Sequence, residues 1–325
     1  MPQARTHISS SFRYISLALA VCLPVLAQRL PGNVRPEHYG LLLTPDLKKA
    51  TFTGEEIIEV TLAQPAKQIT LNAAEITFKD VTIKSGADIQ GATVSVDPDK
   101  QQAIFEVANT IPAGPATIHI HYSGILNNEL RGFYLSKTAT RNYAVTQFEP
   151  TDARRAFPCF DEPSYKATFA VTLVVDIGDT AISNTNIIYD RPGPVATKHT
   201  VKFATTPKMS TYLVAFLVGD FQCVSGRSEG IPIRACATPG KQDLGKFAVS
   251  AAEFVLRYYD NYFGIPYPLP KLDLVAIPDF EAGAMENFGC ITYRETDLLI
   301  DEKTASIRTK ENVAEVVAHE MAHQW

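Results

Sequence analysis

DLGKFAVSAAEFVLRYYDNYFG, residues 243 to 264, is where the chain changes its period. Leu244, Phe247, Ala251, Phe254, Val255, Tyr258 and Tyr262 recur at helical spacing, and Gly264 supplies the expected stop. The aromatic stripe reads as a core face rather than a platform for a ligand. Upstream, from Glu37 to about Val224, the period is two: Tyr39, Leu41 and Leu43 alternate, as do Ile58, Val60 and Leu62, then Val94 and Val96, then Ile118 and Ile120, then the run VTLVV at 171 to 175. Short runs bounded by Gly, Pro, Asn and Asp predict an antiparallel all-β domain. Downstream lie a proline-broken extended stretch (IPYPLPKLDLVAIPDF), a strand ITYRETDLLI and a second helix from about Thr309 to the end. A boundary near residue 225 follows, and the fold class is α+β with more than one domain.

Composition agrees with two folded domains. The chain has 325 residues, 46% hydrophobic and 20% charged, which excludes a disordered tail. At about 150 residues per domain, two domains fit. A net charge of -5 leaves no basic field to neutralise phosphates, so nucleic acid is excluded as a partner. No feature reports an oligomeric state.

At the amino terminus, Arg5 and Arg13 precede an uncharged apolar run from Tyr14 to Ala27, and Val25-Leu26-Ala27 has the small-residue spacing of a cleavage site. Residues 1–27 therefore read as a signal peptide, and the chain as exported, periplasmic or secreted. The alternative is a membrane anchor formed by the same segment, although it falls short of the roughly 20 residues that span a bilayer. Beyond it lie Cys159, Cys223, Cys236 and Cys290, at spacings that match no zinc ribbon or redox pair. Cys223 and Cys236 flank a turn-rich segment and could be bridged across paired strands, or all four could be buried thiols.

Three clusters carry chemistry. The first is HEMAHQW, residues 319 to 325. Two His four apart on a helix are separated by about 40° around its axis, so His319 and His323 can share one Zn2+ ion. Glu320, beside the first ligand, can act as general base. The apolar residues around them predict a buried helix. The spacing alone recurs by chance across a proteome, so context must support it. The second cluster is Gly283, Ala284, Met285, Glu286 and Asn287, where small residues let a bound chain approach the backbone. The third runs from Gln147 to Phe169 and is dense in charge; Arg154, Asp161 and Lys166 read as a salt-bridged loop. A further pair, His119 and His121, shares one strand face, but with no third ligand nearby it reads as an ordinary half-exposed surface.

Taken together, GAMEN at 283 to 287, HEMAHQW at 319 to 325, the segment from Gln147 to Phe169 and the opening RLPGNVRPEHYGLLLTPDL resemble the aminopeptidase N family of zinc metallopeptidases, over nearly all of residues 29 to 325. The resemblance implies a saddle-like β domain (28–225) followed by the start of a thermolysin-like catalytic domain (226–325). It implies that His319 and His323 bind zinc, that Glu320 is the general base, and that Glu286 grips the free α-amino group of a peptide substrate. Gln147 and Glu149 match a second amine-contacting element. Two carboxylates beside the metal would attract a chain-end ammonium and disfavour an interior peptide bond.

One departure matters. The family's third zinc ligand, a Glu 18 residues beyond the second His, and its transition-state Tyr have no counterpart before Trp325. The expectation is an amino-terminal fragment that is inactive as given. Two other readings compete: a non-catalytic peptide-binding or scaffold member, which would not need Glu320, and an HExxH endopeptidase, which would leave Glu149 and Glu286 without a task.

Overall fold

In the computed structural model, which describes residues 29–325, the two periods of the sequence become sheet and helix. Fourteen strands come first: β1 (Val34–Asp46), β2 (Thr51–Leu62), β3 (Ala66–Asn72), β4 (Ile76–Ser85), β5 (Asp88–Asp97), β6 (Gln102–Ile111), β7 (Gly114–Ile125), β8 (Gly132–Lys137), β9 (Asn142–Gln147), β10 (Thr168–Asp176), β11 (Thr180–Ser183), β12 (Ile187–Pro192), β13 (Lys198–Phe203) and β14 (Phe216–Gly219). They form a ten-stranded sheet, ordered β12-β13-β10-β1-β2-β7-β4-β5-β6-β3, and a four-stranded sheet, β11-β14-β9-β8. Period two sets the buried face. Tyr39, Leu41 and Leu43 are buried on β1, Ile58, Val60 and Leu62 on β2, and Ile118 and Ile120 on β7. Val96, in contrast, is exposed on β5, so alternation there marks a strand without marking the core.

The expectation of a wholly antiparallel domain needs one correction, because β1 and β10 pair in parallel. More than a hundred residues separate them, and a long connection is what a parallel pair requires. Between the sheets the charged segment behaves as a structural loop: Arg154 Nε donates to Asp161 Oδ2 at 2.9 Å in a largely buried pair, and Arg155 bonds Asp152 and Glu75. Lys166 does not join it and is exposed.

After β14 come β15 (Gln222–Ser228), β16 (Ile231–Ala237), α1 (Lys246–Phe263), β17 (Leu272–Ile277), β18 (Ala284–Met285), β19 (Cys290–Arg294) and α2 (Ile307–Ala322). The strands form a third sheet, ordered β15-β16-β17-β19-β18, so β18 lies at its edge. Cys223 and Cys236 oppose each other on β15 and β16 and are joined by a disulfide, while Cys159 and Cys290 are buried free thiols. ITYRETDLLI is strand only as far as Arg294, then turns into a short 3-10 helix.

Both helices correct the sequence reading. α1 ends at Gly264 in the left-handed region, as expected, but its buried face is Ala248, Val249, Ala252, Val255 and Leu256. Phe254, Tyr258 and Tyr262 stack along the exposed side. Small and branched residues let the helix approach β15 and β16 closely, which the larger rings would prevent. α2 is buried on one side only: Val313, Val317, Glu320 and Met321 face inward, while Glu311, Glu315, His319 and His323 repeat every four residues on the exposed side.

Candidate active site

α2 starts where Ser306 accepts the Thr309 N–H at 3.1 Å, satisfying a donor that no helical carbonyl can reach. Near its far end the four-residue repeat brings His319 and His323 side by side, with ring centroids 5.1 Å apart. Their Nε2 atoms are separated by 3.4 Å. Two ligands on a tetrahedral zinc with bonds of about 2.0–2.1 Å stand about 3.3–3.4 Å apart, so the imidazoles fit such an ion without rearrangement.

Glu320 is buried beside them, with only 7% of its surface exposed. Burial, followed by the charges of Glu286 and Glu149, pushes its pKa up to about 7. Ligand atoms of Glu286, Glu320 and His323 lie within 4.8 Å of one another, a group that can also hold a metal ion. Glu149, just past β9 and exposed, has its carboxyl raised by desolvation and by Glu286, with His323 acting in the opposite sense. Three carboxylates from three separate parts of the chain thus gather around His323, the second of the pair.

Glu286 lies just past β18 and is positioned by its surroundings. Tyr212 Oη lies 3.3 Å from its Oε1, and the Tyr212 hydroxyl is in turn raised by burial and by Glu286. Gln324, buried immediately after the second His, donates to the Glu286 carbonyl at 3.0 Å and accepts the Gly289 N–H at 2.9 Å. Asn184 Nδ2 donates to the Phe288 carbonyl at 2.9 Å, tying the loop to the first domain. Gly289 must be glycine: its φ is +67°, and a Cβ would stand 2.3 Å from the Asn184 carbonyl oxygen.

The remaining candidates occupy different kinds of position. Ala284 and Met285 pair with Tyr293 and Thr292 through one strand edge, and the Gly283 carbonyl accepts the Arg294 N–H at 2.8 Å. The Met285 side chain is fully buried, and Asn287 is turned inward to donate to Thr292 Oγ1 at 3.2 Å. Gln147 ends β9 with its Oε1 buried and unpartnered among the described residues. Sequence reasoning missed Tyr212 and Gln324. Gln324 adjoined a recognised motif, whereas Tyr212 gave no local signal.

With this geometry in view, comparison with known proteins is decisive. The Peptidase M1 N-terminal domain matches residues 35–213, and the Peptidase family M1 domain matches residues 247–325. The chain belongs to the peptidase M1 family. It is 45% identical over 303 residues to Aminopeptidase M1-D of Oryza sativa subsp. japonica, covering 91% of this chain and 34% of that protein. It is 42% identical over 308 residues to Aminopeptidase 2, mitochondrial, of Saccharomyces cerevisiae, covering 91% and 32%. To the Puromycin-sensitive aminopeptidase of Caenorhabditis elegans it is 40% identical over 306 residues, covering 92% and 32%. The chain thus spans about a third of the length of these relatives.

These relatives correct the expectation of an exported or membrane-anchored protein with a signal peptide. One of them is mitochondrial by name, and among the described residues no helix is long and apolar enough to cross a membrane. The segment 1–27 that carried the expectation lies outside the described residues.

Proposed function

We propose that this chain contributes the amine-recognising half and two metal ligands of a zinc aminopeptidase that removes amino-terminal residues from peptides. The observation that carries the proposal is the gathering of Glu149, Glu286 and Glu320, from three parts of the chain, around His323, which is itself paired with His319. His319 and His323 would hold one zinc ion, which when bound polarises a peptide carbonyl and acidifies water. Glu320, with its pKa near neutrality, is suited to take the proton of the attacking water and pass it to the leaving amine. Glu286 and Glu149 bind the substrate ammonium, and Gln147, with an unsatisfied carbonyl oxygen, accepts one of its N–H groups. β18, at the edge of its sheet, offers Gly283, Ala284 and Met285 to an extended substrate by strand addition. Asn287 shapes this segment from within by holding Thr292.

We place the division between the two domains near residue 225. The matched regions stop at 213 and resume at 247, and the third sheet begins with β15, which supports that placement. The function is tested on the full-length gene product with matched peptides, one with a free and one with an acetylated amino terminus. Much faster hydrolysis of the free peptide than of the acetylated one is expected. Equal hydrolysis of both would refute the amine-anchor roles of Glu149 and Glu286.

A further inference from the structure

His119 and His121 lie on β7 and face away from the core, since Ile118 and Ile120 on the same strand are fully buried. In sequence they lack a third ligand. The sheet supplies it from strands on either side. Glu55 of β2 pairs directly with His121, and Asp80 of β4 pairs with the same residue from the other side, so one row of side chains crosses three strands. Glu55 Oε1 stands 2.9 Å from His119 Nε2 and 3.8 Å from His121 Nε2, and the three ligand atoms lie within 4.8 Å of one another. The two rings are 4.6 Å apart at their centroids.

Asp80 gives the cluster its direction. Its Oδ1 lies 2.7 Å from His121 Nδ1, so that nitrogen serves as the donor and the Nε2 lone pair is left facing Glu55. A carboxylate on the far nitrogen is the arrangement that orients a metal-bound imidazole and raises its basicity. Glu55, His119, His121 and Asp80 are all partly exposed, so an ion can reach them without any opening of the fold.

We propose that Glu55, His119 and His121 form a second divalent-metal site, separate from the α2 pair, with Asp80 as its positioning residue. Two imidazole nitrogens and one carboxylate oxygen suit a borderline ion of the zinc type, with solvent completing the coordination. A bound ion would tie β2 to β7 at the centre of the ten-stranded sheet, so it would stabilise the folded chain by mass action.

Calorimetric titration with Zn2+ alone tests the site. In a chain carrying His319→Ala and His323→Ala, one equivalent is expected to bind, and adding His119→Thr and His121→Thr removes it. In the unsubstituted chain, the same pair of Thr substitutions lowers the count by one, whatever the α2 pair holds. Threonine suits a half-exposed strand position, and the metal-free thermal midpoint reports folding. Asp80→Asn weakens zinc affinity by about 10- to 100-fold while leaving the ligands in place. An unchanged zinc count after both Thr substitutions overturns the proposal. So does an unchanged affinity in both Asp80→Asn and Glu55→Gln, leaving only ion pairs on a sheet face.

Discussion

The two histidine pairs solve one geometric problem in different secondary structures. On β7 a spacing of two, and on α2 a spacing of four, bring two imidazoles to the same face, with ring centroids 4.6 Å and 5.1 Å apart. What differs is the state of the nearby carboxylates. On the open sheet, the hydrogen bond from His121 holds Asp80 below the usual carboxylate range. At the α2 cleft, burial and two neighbouring carboxylates push Glu320 up to about 7. An ionised carboxylate in water can hold a ligand in place, whereas one whose charge is disfavoured can exchange a proton near neutrality. On the two proposals above, the strand pair binds and the helix pair reacts.

The largest expected effect tests that distinction directly. Glu320→Gln keeps the size of the side chain and removes the base, and it should lower kcat of the full-length gene product by about 10²- to 10⁴-fold. Zinc content, measured by atomic absorption, should stay unchanged. If His119→Thr with His121→Thr depressed turnover as severely, the two sites would not differ in kind. Second in size is Glu286→Ala, which removes a charge-assisted contact of about 2–3 kcal/mol and should reduce kcat/KM on free-amine peptides by about 10²-fold. The slow hydrolysis of acetylated peptides should not change, and a parallel loss on both would assign Glu286 a structural role.

How far each site was legible depends on how local it is. His319, Glu320 and His323 fall within five residues on a helix, so spacing alone puts them together. Glu55 and Asp80 reach His121 from 66 and 41 positions away, through a pairing of β2, β7 and β4 that no single segment encodes. Gln324 shows an intermediate case, since its neighbour was recognised but its target, the loop around Glu286, is fixed only by tertiary packing. Periodicity located the change from sheet to helix, because burial on one face imposes it. It misplaced the aromatic face of α1, where Ala248, Val249 and Ala252 pack inward instead of Phe254 and Tyr258. Hydrophobicity identifies residues that can be buried, and the space between elements selects which of them are.

β2 carries a third version of the contrast. Glu55 points to water and a histidine, while the adjacent Glu56 points into the core, fully buried, with neither oxygen partnered among the described residues. Desolvation raises its pKa well above the usual carboxylate value. Replacing it by an apolar side chain of similar volume, Glu56→Met, should stabilise the chain at pH 7 by about 1–3 kcal/mol, the cost of an unsatisfied buried polar group. The sign with pH is fixed. The folded state holds the proton more tightly than the unfolded one, so wild-type stability is full below about pH 4.5 and is lost as pH rises towards the folded-state pKa. Urea denaturation at pH 4.5 and pH 7 should therefore show the Met variant's advantage growing with pH. An advantage independent of pH would mean that Glu56 finds a partner in solution.

The smallest effect concerns the hold on Glu286. Among the described residues, Gln324 is the only side chain that bonds both the Glu286 carbonyl and the Gly289 N–H, so Gln324→Ala leaves those two backbone groups without side-chain partners there. Each such bond has a net worth of about 0.5–1.5 kcal/mol. Part of that loss should appear as looser placement of the Glu286 carboxylate, whose one side-chain hydrogen bond among the described residues comes from Tyr212. The expected outcome is a rise of about 3- to 10-fold in KM for free-amine peptides, with kcat changed much less, since Glu320 and the histidine pair are untouched. Gln324→Glu separates the two bonds: it can still accept the Gly289 N–H, but it sets a carboxylate oxygen against the Glu286 carbonyl and adds a fourth negative group to the cleft. If it weakens substrate binding more than alanine does, the geometry of the loop is what Gln324 secures; if it binds the ammonium better, charge outweighs placement in this pocket.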